Sequence, residues 1–186
     1  MRIISGSARG RRLLAPKGNR TRPTSDRVKE SLFNILAVLK GDFARERVLD
    51  LFAGTGNLGI EALSRGAEHA VFIDDNREAA ALVRKNLALA GYDDRGTVLQ
   101  KEVTAALKLL NESGASFGIV FIDPPYRMGL SAQVLEFLAT SALIDEQSVM
   151  VAETAAREEL PDSFGMLREF DKRVYGDTAL TFYKLN

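Results

Sequence analysis

Residues 119–126 read IVFIDPPY, four apolar residues followed at once by an acid, two prolines and a tyrosine. The apolar run predicts a buried strand, and the residues after it could do chemistry on an amine. Asp123 offers a carboxylate that accepts N–H hydrogen bonds, and Pro124 offers a carbonyl oxygen whose direction is held because proline restricts φ. Tyr126 offers a flat face on which an extruded base stacks. We therefore predict a catalytic group of Asp123, Pro124, Pro125 and Tyr126; the alternative is a turn that only ends the strand.

A glycine-rich turn follows an earlier apolar run, in residues 48–59, VLDLFAGTGNLG. Gly54, Gly56 and Gly59 match G-x-G-x-x-G, a weak signal for nucleotide binding that gains weight between a strand and a helix. Asp50 lies four residues ahead of the first glycine. A carboxylate there favours a cationic ligand over the pyrophosphate of a dinucleotide. S-adenosylmethionine carries an ammonium and a sulfonium, so the pattern favours this methyl donor over NAD as the cofactor.

Acids also end the next two predicted strands. Asp74 lies 20 residues beyond Gly54, where an acid accepts hydrogen bonds from ribose hydroxyls. Glu102 is placed to accept from an adenine amine, while Asp75 is equally suited to the first turn of a helix. The predicted cofactor-binding residues are Asp50, Phe52, Gly54, Thr55, Gly56, Asn57, Asp74, Asp75, Glu102 and Val103.

The elements that must position these residues follow from periodicity. Helical spacing of apolar residues predicts an amphipathic helix over 26–40. After it, strands and helices alternate, which predicts an α/β fold: a Rossmann-like, doubly wound, mostly parallel seven-stranded sheet. Two strand-like runs, 166–175 and 178–185, predict an antiparallel hairpin at its end. Between the first helix and this hairpin, we predict strands 48–53, 70–74, 97–101, 118–122 and 147–153, and helices 57–65, 76–90, 104–112 and 130–140.

Composition narrows the function classes. The 186 residues are 46% hydrophobic and 27% charged, with no cysteine and one histidine. Thiol nucleophiles, disulfides and thiolate metal sites are excluded, a histidine-based metal site or hydrolase triad is hard to build, and we predict no metal. No stretch approaches the roughly 20 apolar residues of a membrane span, so we expect a cytoplasmic protein.

The charge is unevenly distributed. Residues 1–47 contain 12 Lys and Arg against 4 Asp and Glu, while the other 139 residues contain 13 against 21. We predict a basic N-terminal hairpin and loop extension over 1–24 and a catalytic domain over 25–186. The basic extension indicates either a solvated terminus or a surface that binds nucleic acid phosphates.

Taken together, these motifs are similar to a known family. DLFAGTGNLGIEALSRGA (50–67) followed by DPPY (123–126) resembles the S-adenosylmethionine-dependent amino-methyltransferases. RIISGSARGRRL (2–13), RPTSDRVKESLFNIL (22–36) and VYGDTALTFYK (174–184) narrow the resemblance to the bacterial small-subunit rRNA methyltransferase D family, over almost the whole chain.

That resemblance implies a methyl transfer to the N2 amine of one guanine in 16S rRNA, within assembled or assembling small subunits. It implies a β-hairpin extension that helps to hold RNA, a catalytic domain that binds S-adenosylmethionine, and a monomer. Arg22 and Thr24, with Pro23 between them, match a segment near the cofactor and the mouth of the site. The family usually has a more acidic residue pair after the second strand, often with Glu where Asp74 stands, and it often has Asp where Glu102 stands. The implied RNA-binding residues are Arg2, Arg9, Arg11, Arg12 and Arg22.

Three other functions compete. A DNA adenine-N6 methyltransferase could use the same Asp-Pro-Pro-Tyr chemistry, but the chain has little room for a region that reads base edges. An NAD-dependent oxidoreductase would need a Tyr-x-x-x-Lys pair or a suitable histidine, and His69 precedes a strand at the wrong end of the sheet. A non-enzymatic RNA-binding module would have no use for Asp50 and Asp123.

Overall fold

The computed structural model describes residues 1–16, 26–125 and 129–186. Helices and strands alternate along most of the chain because apolar runs alternate with amphipathic segments. The helices are α1 Asp26–Lys40, α2 Asn57–Ser64, α3 Arg77–Ala90, α4 Val103–Glu112 and α5 Leu130–Ala139. The strands are β1 Arg47–Leu51, β2 His69–Asp74, β3 Gly96–Gln100, β4 Ile119–Ile122, β5 Val149–Ala155, β6 Ser163–Phe164, β7 Leu167–Tyr175 and β8 Thr178–Leu185.

The strands form a single sheet in the order β3-β2-β1-β4-β5-β8-β7-β6. Strands β1 to β5 pair with one another in parallel, whereas β8 pairs antiparallel with β5, β7 with β8 and β6 with β7. The predicted Rossmann-like fold with its closing hairpin is therefore confirmed. The two-residue β6 adds an eighth strand to the seven predicted, because so short an element leaves no periodicity in the sequence.

The strand order reverses between β1 and β4, which pair in parallel with Leu51 beside Ile122. In sheets of this kind, ligands bind in the crevice beyond the carboxyl ends of the strands at the reversal. The residues that follow β1 and β4, the glycine turn and the Asp-Pro-Pro sequence, therefore lie at the two sides of one crevice.

Helices cover both faces of the sheet. Helices α1, α2 and α3 pack on one face, where the ring of Phe33 lies 5.8 Å from that of Phe121. Helices α4 and α5 pack on the other. This double coverage explains why the central strands are apolar almost throughout. Within the described ranges, the helices are too short or too polar to cross a membrane.

The N-terminal segment, residues 1–14, folds back on itself as predicted, but its ladder consists of one antiparallel bridge, between Arg2 and Arg12. Further backbone hydrogen bonds close the turn, including Ile3 N–H to the Arg11 carbonyl at 3.0 Å. The segment shares the core of the α1–α3 face, because Ile3, Ala8 and Leu13 are buried there. Its four arginines, Arg2, Arg9, Arg11 and Arg12, are exposed.

Candidate active site

The turn after β1 contains two glycines with left-handed backbone, Gly54 at φ 57° and Gly56 at φ 75°. A Cβ on Gly54 would meet no atom closer than 3.9 Å, so the space before this residue is open to a ligand. A Cβ on Gly56 would lie 3.3 Å from the Phe72 ring, and one on Gly59 only 2.3 Å from it. The three glycines therefore differ: Gly54 faces open space, whereas Gly56 and Gly59 allow α2 to pack closely on β2.

Asp74, at the end of β2, holds the glycine turn in place. Its Oδ2 accepts from Gly54 N–H at 2.8 Å, and its Oδ1 accepts from Asn76 N–H at 2.9 Å. Burial raises the pKa of Asp74, and the exposed Asp75 adds to the effect through repulsion. Each carboxylate oxygen has a further lone pair, so the ribose contact of Asp74 stays a prediction.

Glu102 caps helix α4. Its two oxygens accept from the N–H groups of Thr104 at 2.8 Å and Ala105 at 2.9 Å. Desolvation alone would raise the pKa of this carboxyl, but these hydrogen bonds outweigh it and lower the pKa. The cap explains an acid at this position without a ligand, so the adenine contact of Glu102 also stays a prediction.

A groove of about 130 Å³ opens beside Glu102, between α4 and α5. Phe52 and Val103, both predicted to bind the cofactor, lie in its wall together with Val134 and Phe137. Phe52 has a left-handed backbone with φ 61°, a conformation that costs a non-glycine residue roughly 1–3 kcal/mol. Apolar walls beside a polar edge suit a flat purine ring, so these residues fit the adenosine end of S-adenosylmethionine.

Asp50 is buried in β1, with its side chain on the α1–α3 face of the sheet. Its Oδ2 accepts from Gly59 N–H in the first turn of α2 at 2.9 Å. Burial raises the pKa of Asp50 to about 7, the Gly59 hydrogen bond opposes this, and the charge of Asp74 adds to it. A cation nearby would stabilise the charged carboxylate, as expected for a residue next to an ammonium or sulfonium group.

Asp123 follows β4 directly and is half-buried, as is Pro124, while Pro125 is exposed. Burial raises the pKa of Asp123 well above its ordinary value, and the neighbouring carboxylates of Glu153 and Asp50 raise it further. The structure thus places Asp123 within electrostatic range of Asp50. Tyr126, Arg22 and Thr24 lie outside the described residues.

Two buried side chains that the sequence analysis did not single out join the N-terminal segment to the glycine turn. Lys29 Nζ donates to the Asn57 side chain at 2.8 Å and to the Arg2 carbonyl at 2.7 Å. Asn86 Nδ2 donates to the Thr55 carbonyl at 2.9 Å and to that of Leu14 at 3.1 Å. Lys29 and Asn86 therefore link the predicted cofactor residues Thr55 and Asn57 to the segment that carries the exposed arginines.

The ion pair of Lys29 explains how a lysine is tolerated here. Its Nζ lies 3.2 Å from the buried Glu61 carboxylate, which also accepts from the N–H groups of Ile4 and Ser5. Burial lowers the pKa of Lys29, and the attraction of Glu61 opposes that shift. Neither residue carries a sequence signal, because a single charged residue within a helical segment does not show that its side chain is buried.

Glu153, on β5, is a third carboxyl beside Asp50 and Asp123 that the sequence analysis missed. The signal was available, because VMVAET has the same form as the other strand endings, an apolar run followed by an acid.

A doubly wound sheet with this glycine turn and acidic strand ends defines the class of the Rossmann-like methyltransferases. The structure titled "Putative methyltransferase yhhF from Escherichia coli" matches with a TM-score of 0.85 and 34% identity, covering 100% of this chain and 98% of that one. A hypothetical protein from Thermus thermophilus matches equally well, with a TM-score of 0.85 and 32% identity over 100% and 99% of the two chains.

The family model described as conserved hypothetical protein 95 matches residues 1–184. The protein called Ribosomal RNA small subunit methyltransferase D in Escherichia coli K12 is 35% identical over 184 residues, 99% of this chain and 89% of that protein. Its namesake in Haemophilus influenzae is 34% identical over 172 residues, covering 91% and 87%. The chain belongs to this methyltransferase D family, and the resemblance stated from its motifs is confirmed.

Proposed function

We propose that this protein transfers a methyl group from S-adenosylmethionine to the exocyclic N2 amine of a guanine in 16S rRNA, acting as a cytoplasmic monomer on small ribosomal subunits. The observation that carries the proposal is the position of Asp123, which shares the crevice with Asp50 and the open side of Gly54. Family membership supports rRNA as the substrate. The resemblance of the motifs supports guanine and its N2 amine.

The site residues would help an amine that reacts poorly to attack the methyl group. An exocyclic amine is a poor nucleophile because its lone pair is delocalised into the ring. The Asp123 carboxylate accepts its N–H groups and aims the nitrogen, and the Pro124 carbonyl assists from a restricted turn. Asp123 and Asp50 then stabilise the positive charge that develops on the amine. S-adenosylmethionine supplies an electrophilic methyl group bound to a sulfonium.

A DNA adenine-N6 methyltransferase would use the same acceptors on a different amine. The described chain holds few elements beyond the sheet and its covering helices, and the N-terminal segment packs onto α2 and α3 rather than forming a separate reading domain. Methyl transfer to RNA fits this compact arrangement better.

The test uses labelled methyl donor and small-subunit particles from cells that lack the protein. We expect label in 16S rRNA, at the N2 amine of one guanine, and mapping of the modified nucleotide checks this. Label that appears only on DNA, on protein, or on another atom of the base would refute the proposal. Free 16S rRNA in a parallel reaction shows whether the particle is required.

Replacement of the proposed acceptor tests the mechanism. We expect Asp123→Ala to reduce the rate of methyl transfer by at least about 100-fold, because the amine loses its acceptor and its orientation. Affinity for the methyl donor, measured by calorimetry, should change little, since the glycine turn and the groove stay intact. Full activity of this variant would rule out the assigned role.

A further inference from the structure

The proposed mechanism assigns a role to Asp50 and to Asp123 but not to Glu153, the third carboxyl beside them. It lies on β5, which pairs in parallel with β4 so that Ile122 stands beside Ala152. The next residue is an acid in both cases: Asp123, just beyond the end of β4, and Glu153, within β5. Adjacent positions in parallel register point to the same face of a sheet, here the α1–α3 face that also contains Asp50.

Two carboxyls at this spacing do not titrate independently. Repulsion makes it costly to charge both, so a doubly ionised pair takes up its first proton more readily than an isolated carboxylate does. Burial and the Glu153 charge both raise the pKa of Asp123, with Asp50 as the third contributor. A cation on the same sheet face, Lys29, is held by Glu61.

The reaction releases a proton that needs an acceptor. The amine lone pair forms the bond to the methyl carbon as the carbon–sulfur bond breaks, and its electrons stay on sulfur. The nitrogen is then a cation, and neutrality returns when it loses one proton. Asp123 is positioned to contact that nitrogen, and a carboxylate whose neighbour is also an acid accepts a proton more readily.

We propose that Glu153 is a positioning residue that acts through Asp123, and that the two carboxyls together receive the proton released by the methylated amine. This inference rests on the proposed function, because it requires an amine substrate next to Asp123. Glu153 itself need not touch the substrate. Its charge repels that of Asp123, which makes Asp123 the better base.

The test compares Glu153→Gln, which keeps the size of the side chain and removes its charge, with Glu159→Gln at an exposed position. We expect kcat of Glu153→Gln to fall by about tenfold or more while KM for RNA and methyl donor changes by less than about twofold. The acidic limb of its pH–rate profile should move to lower pH, because Asp123 loses the neighbour that raises its pKa. Glu159→Gln should match the wild type, and Glu153→Asp should restore part of the rate.

An unchanged acidic limb and kcat in Glu153→Gln would overturn the inference and would indicate that solvent takes the proton. A loss of rate without movement of the limb would also overturn it, since a purely structural role gives that pattern. Titration of the Asp123 carboxyl carbon by NMR in the wild-type protein needs neither variant nor substrate. A two-step titration is expected, and a single step at ordinary acidic pH refutes the pairing. If the wild type methylates no small-subunit RNA, the proposed function fails, whereas the titration still decides the pairing.

Discussion

At the residue scale, the site is a set of acids placed where burial makes their charges costly. Asp50, Asp74 and Asp123 all have raised pKa values, with desolvation as the first cause in each case. Such an arrangement costs stability, and acids with raised pKa values cluster at functional sites. We propose that the cationic methyl donor, and the amine that becomes a cation on methylation, both reduce the repulsion between these acids.

The cost of charging a buried acid is easiest to follow at Asp50, which is fully buried. Its pKa is raised from 3.8 to about 7, so the folded state binds more protons than the unfolded state between these values. Stability therefore falls as pH rises through this window, by up to about 4 kcal/mol at pH 8. We expect Asp50→Asn to be more stable than the wild type at pH 8 and equal to it near pH 4, with weaker binding of the methyl donor.

Denaturant unfolding at a series of pH values checks this prediction, and calorimetry measures the loss of affinity. Asp75→Asn is the matched control, because Asp75 is exposed and the substitution is the same. Equal effects of the two substitutions at pH 8 would contradict the role of burial.

At the element scale, local sequence patterns predicted the secondary structure and the fold, but they did not predict contacts between residues far apart in the sequence. The helix predicted over 26–40 is present as Asp26–Lys40, because amphipathic periodicity is a strong local signal. The packing of the N-terminal segment was not predicted, since Ile4 N–H meets Glu61 across 57 positions of the sequence. The acid-after-strand pattern singled out Asp74, Glu102 and Asp123, whereas the capping role of Glu102 depends on backbone geometry that no sequence pattern shows.

Alanine substitutions at two glycines of the N-terminal segment distinguish the energy of packing this segment against α2 from the cost of backbone strain. Gly6 and Gly10 both have φ 84°, but a Cβ on Gly6 would lie 1.8 Å from the Ser64 carbonyl oxygen, whereas one on Gly10 meets nothing within 4 Å. We expect Gly10→Ala to cost only the left-handed strain, about 1–2 kcal/mol. Gly6→Ala should cost at least about 2 kcal/mol more, because the segment must leave α2 and the hydrogen bond from Ser7 N–H to Ser64 breaks.

Free energies of unfolding of the two alanine variants check this, and RNA affinity adds a functional measure. Gly6→Ala should also weaken RNA binding, because the exposed arginines lose their fixed position against α2. Equal stabilities and equal RNA affinities of the two variants would show that docking of the segment contributes nothing.

At the scale of the whole molecule, a net charge of zero conceals two regions of opposite sign. The first 47 residues have a net charge of +8 and the remainder −8. We propose that RNA phosphates bind to the exposed arginines of the N-terminal segment, while the acids near the carboxyl ends of β1, β4 and β5 repel phosphates and accept an amine. Lys29 and Asn86 join these two regions through direct hydrogen bonds.

Charge reversal at one position of each region tests whether the N-terminal segment is the RNA-binding surface. Arg12→Glu and Lys108→Glu change the net charge equally, but Lys108 is an exposed residue of α4, on the opposite face of the sheet. We expect Arg12→Glu to weaken RNA binding and to reduce the slope of log affinity against log salt by roughly 1, because one phosphate contact and its released counterion are lost. The slope for Lys108→Glu should equal that of the wild type. Equal reductions of the slope in both variants would mean that RNA affinity depends only on the net charge of the protein. The assignment of the N-terminal arginines as the RNA-binding surface would then be wrong.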